Sequence, residues 1–161
     1  MLKEKTLVIL KPDAVQRSLI GEIISRFERI GLKCIGMKML IPNVKTVEAH
    51  LVDPNWLKNV GEKAIEAYTK NGKEAPDSDP IVAGNRVLNA LKKYITAGPV
   101  VALVYEGAHA AQIVRKIVGK TEPLTSDVGS IRGDYTIDSY ELSDKDGRAV
   151  RNLIHASGNA N

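Results

Sequence analysis

The sequence predicts an α+β fold in which helices pack on an antiparallel sheet. Three observations carry this prediction: short aliphatic runs typical of buried strands, apolar residues at helical spacing after them, and Gly or Pro at the boundaries. Without its insertions, the chain reads strand, helix, strand, helices, strand, helix, long loop, strand. This order is the βαββαβ pattern of a ferredoxin-like sandwich.

The first half of the chain supplies the first strand, helix and second strand. Residues 6–10 are β-branched and aliphatic, and Lys11-Pro12-Asp13 ends this strand because a residue before proline is held in extended geometry. Apolar residues then recur at helical spacing over residues 18–30, with Gly31 as the predicted stop. A second strand is predicted over residues 33–41.

The second half contains the longest helical region and the clearest strand. Its predicted elements are interrupted helices over 44–96 with a surface loop at 71–80, a central strand at 100–105, a helix at 108–118, an irregular segment at 121–150 and a final strand at 151–156. Within the irregular segment, the charge-rich residues 139–148 are predicted to form a surface hairpin.

Length and composition predict one globular domain over residues 1–161. The single cysteine, Cys34, excludes a disulfide within the chain. No apolar run approaches the roughly 20 residues of a membrane span, and the first residues lack the pattern of a signal peptide, so a cytoplasmic protein is expected. The net charge of +4 favours a small anionic ligand, and no block of Lys and Arg indicates specific nucleic-acid binding.

Several polar side chains fall at the ends of predicted elements and together suit a polyphosphate. They supply three cations, a hydroxyl, an amide and an imidazole: Lys11, Arg115, Arg132, Thr121, Asn152 and His155. Each also has an ordinary explanation, since surface arginines solvate a helix face, threonine occurs in turns and a histidine near a chain end is commonly exposed.

A glycine-rich phosphate loop is missing from the sequence. Gly119-Lys120-Thr121 resembles the end of a Walker motif, but the earlier glycine is missing and a predicted helix precedes it. A phosphate site in this chain therefore has to be built from side chains.

Five segments, in order, resemble the nucleoside diphosphate kinase family over nearly the whole chain. They are LKPDAVQRSLIGEII, GPVVALVYEG, VRKIVGKTEP, GSIRGDY and NLIHAS. The resemblance implies a ferredoxin-like fold and transfer of the terminal phosphoryl group of ATP to a nucleoside diphosphate, by a ping-pong reaction with broad base specificity.

The resemblance also implies a role for each candidate residue. His155 matches the phosphorylated histidine, Ser157 a serine beside it, Lys11 a lysine that reaches the phosphates and sugar, Asn152 a ribose contact, and Arg115, Thr121 and Arg132 the phosphate-binding set. Family members use Mg²⁺, which substrate phosphates would mainly hold, so no dedicated metal ligands are expected. They assemble as hexamers or tetramers.

The sequence departs from the family pattern at three points. Leu51 stands where the family usually has a tyrosine whose hydroxyl would contact the histidine. The aromatic residue that packs on the base is not evident, and Trp56 and Leu57 are the nearest candidates. The family also continues past the histidine to a glutamate that orients its ring, whereas the sequence given ends at Asn161.

Two other functions remain open at this point. Leu51 motivates a catalytically weak or inactive nucleotide-binding member of the same fold. Arg132-Gly133-Asp134 also matches an adhesion motif, which would require an extracellular protein.

Overall fold

A four-stranded antiparallel sheet organises the chain. The structure, a computed structural model, describes residues 3–51, 54–70 and 72–158. The strands are β1 (Glu4–Leu10), β2 (Lys33–Leu40), β3 (Val100–Gly107) and β4 (Ile154–Ala156). Their order across the sheet is β2-β3-β1-β4, and each neighbouring pair is antiparallel. The predicted ferredoxin-like α+β fold is confirmed.

Helices fill the connections between the strands. They are α1 (Pro12–Gln16), α2 (Ile20–Arg29), α3 (Val44–Leu51), α4 (Pro54–Lys70), α5 (Pro80–Ile95), α6 (Ala110–Val118), α7 (Ile131–Tyr135) and α8 (Tyr140–Lys145), with a 3₁₀ turn at Pro123–Thr125. Within the described residues, none of these helices has the length and apolar character of a membrane span.

The predicted hairpin at residues 139–148 is wrong. This segment contains α8, and the hydroxyl of Ser139 accepts a hydrogen bond from the main-chain N–H of Leu142 at 3.1 Å. A serine at this position satisfies a donor that the first helical turn leaves unpaired, which favours a helix over a strand pair.

The final strand is shorter than predicted. Pairing with β1 starts at Ile154 rather than at residue 151, because Leu153 adopts a left-handed backbone conformation with φ of 66°. An extended strand cannot pass through this conformation.

The chain divides into two units. The first contains the described residues up to Ile41 together with residues 98–146 and those from Val150 onward. The second contains residues 42–97 and 147–149. All seven predicted site residues belong to the first unit, and the single-domain organisation stays a prediction.

One face of the sheet forms the core of the first unit. Val8 and Leu10 on β1 are fully buried with Phe27 of α2 and Val114 of α6. The rings of Phe27 and Tyr105 lie 4.9 Å apart between their centroids. Burial of these aliphatic and aromatic side chains supplies the main stabilisation of the sheet.

The same alternation determines where the histidine points. Ile154 is fully buried in this core, and Ala156 packs against it. Because successive side chains of a strand point to opposite faces, His155 between them lies on the other face of β4. Ile9 of β1 is its partner in the register.

Gly119, between α6 and the segment that follows it, should not tolerate a side chain. Its φ is +89°, and a Cβ there would lie 2.6 Å from Oγ and 2.9 Å from Cβ of Ser130. We expect Gly119→Ala to lower the free energy of unfolding, by about 1–3 kcal/mol more than Gly31→Ala does. Gly31 is the matched control, since its φ is +88° but no atom lies within 4 Å of the Cβ position. Equal losses in urea unfolding would contradict this prediction.

Candidate active site

His155 lies on β4, at one edge of the sheet, and is partly buried. Ser157 lies two residues further on, so it is on the same side of the chain as the histidine. The main-chain N–H of Ser157 donates to the carbonyl of Leu7 at 3.0 Å, which extends the contact with β1 beyond the strand itself. The predicted contact of Ser157 with the histidine stays a prediction.

A tight turn immediately precedes the histidine. The N–H of Ile154 donates to the carbonyl of Asn152 at 2.7 Å, around a central Leu153 with φ of 66°. A three-residue turn with a left-handed central residue is strained, at a cost of about 1–3 kcal/mol. The surrounding structure must therefore hold it in place.

The segment after β1 provides part of this support. The N–H of Lys11 donates to the carbonyl of Leu153 at 2.8 Å. The N–H of Leu153 donates to Oδ2 of Asp13 at 3.1 Å. Both polar groups of the strained residue are thus satisfied, which a fully buried residue requires.

Arg132 provides the other support and is itself buried. Its Nε donates to the carbonyl of Asn152 at 3.1 Å, and its Nη2 donates to the carbonyl of Ile154. Nη1 donates to the carbonyls of Gly119 at 3.2 Å and Lys120 at 2.9 Å. The structure thus shows Arg132 binding main-chain carbonyls of two segments, and its contact with phosphate stays a prediction.

Lys11 and Asn152 form a buried polar pair. Nζ of Lys11 donates to Oδ1 of Asn152 at 2.6 Å, and Nδ2 of Asn152 donates to the carbonyl of Thr121 at 2.7 Å. These contacts bring three predicted site residues from distant parts of the sequence together.

The environment of Lys11 is unfavourable for its charge. Burial, with a smaller contribution from the positive charge of Arg132, lowers the pKa of Lys11 to about 7, while Asp13 opposes this change. An anion bound beside the two cations would favour the charged ammonium again.

Arg115 and Thr121 are the exposed members of the predicted set. Arg115 lies in the last turn of α6, and a Cβ on Gly158 would be 3.8 Å from its Nη1. The segment after β4 therefore passes beside this guanidinium. Thr121 follows α6, and its side chain is a hydrogen-bond partner of the Tyr140 phenol.

Sequence reasoning missed two residues of this arrangement. The sequence pattern assigns Asp13 only to the end of the first strand, and nothing local shows that its carboxylate accepts from the N–H of Leu153. Tyr140 lies in the charge-rich segment 139–148, where nothing in the pattern marks it, and its N–H donates to Oε1 of Glu122 at 2.9 Å. This segment therefore contacts the one that carries Thr121.

The remaining expectations fall outside this network. Trp56 and Leu57 lie on α4 in the second unit, and the side chain of Leu51 lies outside the described ones. Among the described residues, no group of three or more His, Cys, Asp or Glu side chains is placed to hold a metal ion.

The low pKa of Lys11 predicts how stability changes with pH. Between about pH 7 and the ordinary lysine pKa of 10.5, the unfolded chain binds more protons at this residue than the folded one. We therefore expect the free energy of unfolding to rise with pH in this window relative to Lys11→Met, by at most about 1.4 kcal/mol per pH unit. Chemical denaturation at pH 6.5 to 10 measures this difference, and Lys5→Met, which removes an exposed lysine of β1, is the control. A difference that is flat across the window would contradict the prediction.

Comparison with known proteins identifies the family. The nucleoside diphosphate kinase family model matches residues 4–72 and 80–161. A nucleoside diphosphate kinase of Pyrobaculum aerophilum is 46% identical over 159 residues, covering 96% of this chain and 87% of that protein.

Solved structures agree with this assignment. An NDP kinase crystal structure from Pyrobaculum aerophilum has a TM-score of 0.94 at 44% identity, covering 98% of this chain and 90% of that one. The Borrelia burgdorferi nucleoside-diphosphate kinase, a transition-state mimic with vanadate and ADP, has a TM-score of 0.77 at 36% identity, with 99% and 81% covered. The Halobacterium salinarum enzyme with CDP has a TM-score of 0.65 at 32% identity, with 97% and 78% covered. Sequence and fold together place this chain in the nucleoside diphosphate kinase family.

Proposed function

We propose that this chain transfers the terminal phosphoryl group of ATP to a nucleoside diphosphate and that His155 carries the group between them. The observation that carries the proposal is the position of His155, directly after a buried turn that Lys11, Asp13 and Arg132 hold. Membership of the nucleoside diphosphate kinase family makes the chain a phosphotransferase.

The reaction proceeds in two displacements. A neutral ring nitrogen of His155 attacks the terminal phosphorus of ATP, the bond to the bridging oxygen breaks and ADP leaves. An oxygen of the second diphosphate then attacks the phosphohistidine and restores the free imidazole. Two half-reactions with a covalent intermediate give ping-pong kinetics.

The surrounding residues position the nucleotide and stabilise the charge on the transferred group. Lys11 and Arg132 place positive charge near the turn. Arg115 in the last turn of α6 and Thr121 after that helix offer exposed donors. Phosphoryl transfer depends mainly on such positioning and electrostatic stabilisation. Relatives solved with ADP and vanadate or with CDP support nucleotides as the ligands of this site. Because the proposed contacts are to the phosphates and the ribose and not to the base, the site should accept nucleotides with different bases.

Magnesium belongs to the proposal as a partner of the substrate. The donor set fits this arrangement, because Lys11, Arg115 and Arg132 are cationic and suit phosphate oxygens rather than a metal ion. When bound to the phosphates of the nucleotide, Mg²⁺ supplies additional neutralisation of their charge.

We propose a homo-hexamer or homo-tetramer in the cytoplasm, with nucleoside di- and triphosphates as partners. An inactive nucleotide-binding protein is disfavoured, because the chain retains the histidine and every predicted phosphate-binding side chain.

Loss of the carrier should abolish the reaction. Incubation with ATP labelled at the γ-phosphate should label the wild-type protein at an acid-labile, base-stable site, and His155→Ala should remove the label and the transfer activity. His109→Asn is the matched control, since His109 is exposed and its left-handed backbone, with φ of 53°, suits asparagine. Full transfer activity in His155→Ala would contradict the proposal.

Arg115 should contribute mainly to nucleotide binding. Because it is an exposed cation at the end of α6, Arg115→Ala should raise the KM for ATP about 10- to 150-fold, as expected for loss of a charge-assisted hydrogen bond of about 1.5–3 kcal/mol. Lys116→Ala removes the next exposed cation on the same helix and should change KM less than twofold. Steady-state kinetics with equal KM in both variants would refute the role of Arg115.

A further inference from the structure

Asp13 is a partly buried residue whose carboxylate takes no part in the two displacements themselves. Its Oδ2 accepts the N–H of Leu153 at 3.1 Å. Its Oδ1 is buried and has no hydrogen-bond partner among the described residues. The described side-chain hydrogen bond of this carboxylate therefore goes to the strained turn.

The position of Asp13 is itself well determined. It lies in the first turn of α1, between Pro12 and Ala14, both of which are buried. The main-chain carbonyl of Asp13 accepts from the N–H of Arg17 at 3.1 Å. A short helix anchored in this way holds the carboxylate at a defined distance from β4.

Leu153 is held at both of its polar groups by residues of this segment. The N–H of Lys11 donates to the carbonyl of Leu153 at 2.8 Å, and the N–H of Leu153 donates to the carboxylate of Asp13. Without the second contact, the N–H of a fully buried residue would have no acceptor from this segment. The left-handed conformation, with φ of 66°, would then lose one of the contacts that offset its strain.

We propose that Asp13 is a positioning residue for phosphoryl transfer, which keeps the Leu153 turn in its left-handed conformation and so aims His155 at the phosphorus. The proposal rests on the proposed function. The positioning role requires an acceptor atom at the position of Oδ2 and not a negative charge. The smaller effect of that charge on the pKa of Lys11 is separate from it.

Loss of the Asp13 contact should affect the rate of phosphoryl transfer to His155 more strongly than nucleotide binding. The turn ends one residue before His155, so a relaxed turn displaces the imidazole relative to the attacked phosphorus. A displacement of about 1 Å in a reacting group reduces a rate by about 100-fold. The exposed phosphate-binding candidates, Arg115 in the last turn of α6 and Thr121 after it, should be affected much less.

Three variants separate the placement of the acceptor from its charge. Asp13→Asn keeps an acceptor oxygen in place and removes the charge. Asp13→Glu keeps the charge and moves it by one methylene, and Asp13→Ala removes both. Asp127→Ala, at an exposed residue, is the matched control.

The measurement is single-turnover phosphorylation of His155 by ATP, corrected for the folded fraction from thermal unfolding and compared with the Kd for ADP from calorimetry. We expect Asp13→Asn to retain the wild-type rate within about threefold. Asp13→Glu and Asp13→Ala should be about 10- to 100-fold slower, with the Kd for ADP changed less than threefold.

Each of the other outcomes contradicts the proposal. A phosphorylation rate reduced tenfold or more in Asp13→Asn means that the negative charge is required. A wild-type rate in Asp13→Glu means that the exact position of the acceptor oxygen is not required. If Asp13→Ala does not fold, the comparison of Asp13→Asn with Asp13→Glu decides alone. Absence of labelling in the wild-type protein would instead refute the proposed function, so the two failures are distinguishable.

Discussion

The hydrogen bonding of the main chain around Leu153 is the constraint on which the active site depends. Three consecutive carbonyls, those of Asn152, Leu153 and Ile154, accept from Arg132 Nε, from the N–H of Lys11 and from Arg132 Nη2. A buried main-chain group without a partner costs about 1–3 kcal/mol, so the turn persists only with these donors in place. The Leu153 turn then determines where β4 begins and which face of the sheet His155 occupies.

In the protein without nucleotide, the positive charges of these two donor residues repel each other. Lys11 and Arg132 are both buried, and Arg132 lowers the pKa of Lys11. This arrangement weakens the folded state near neutral pH, but it prepares the site for a polyanion whose charge relieves the repulsion. Binding energy for phosphate and stability of the free protein therefore oppose each other here, as is common at functional sites.

The order of elements could be predicted, and His155 could be proposed as the carrier, because both depend on local patterns. Short aliphatic runs, helical spacing and the NLIHAS segment are recognisable along the chain. The turn at Leu153 could not be predicted, since leucine gives no signal for a left-handed conformation and its partner Asp13 lies 140 positions away. The carbonyl contacts of Arg132 could not be predicted for the same reason. The helix α8 was not predicted because the charge-rich sequence favoured a surface hairpin over a helix that Ser139 caps.

Amide hydrogen exchange of the turn tests the central claim most directly. If side chains and main-chain groups of distant segments hold the turn, the N–H groups of Leu153 and Ile154 should exchange as slowly as the paired amides of β1, because both are buried and hydrogen-bonded. Exchange as fast as that of the exposed loop between α4 and α5 would mean that the turn opens freely. In that case the position of His155 would not be set by the contacts described above.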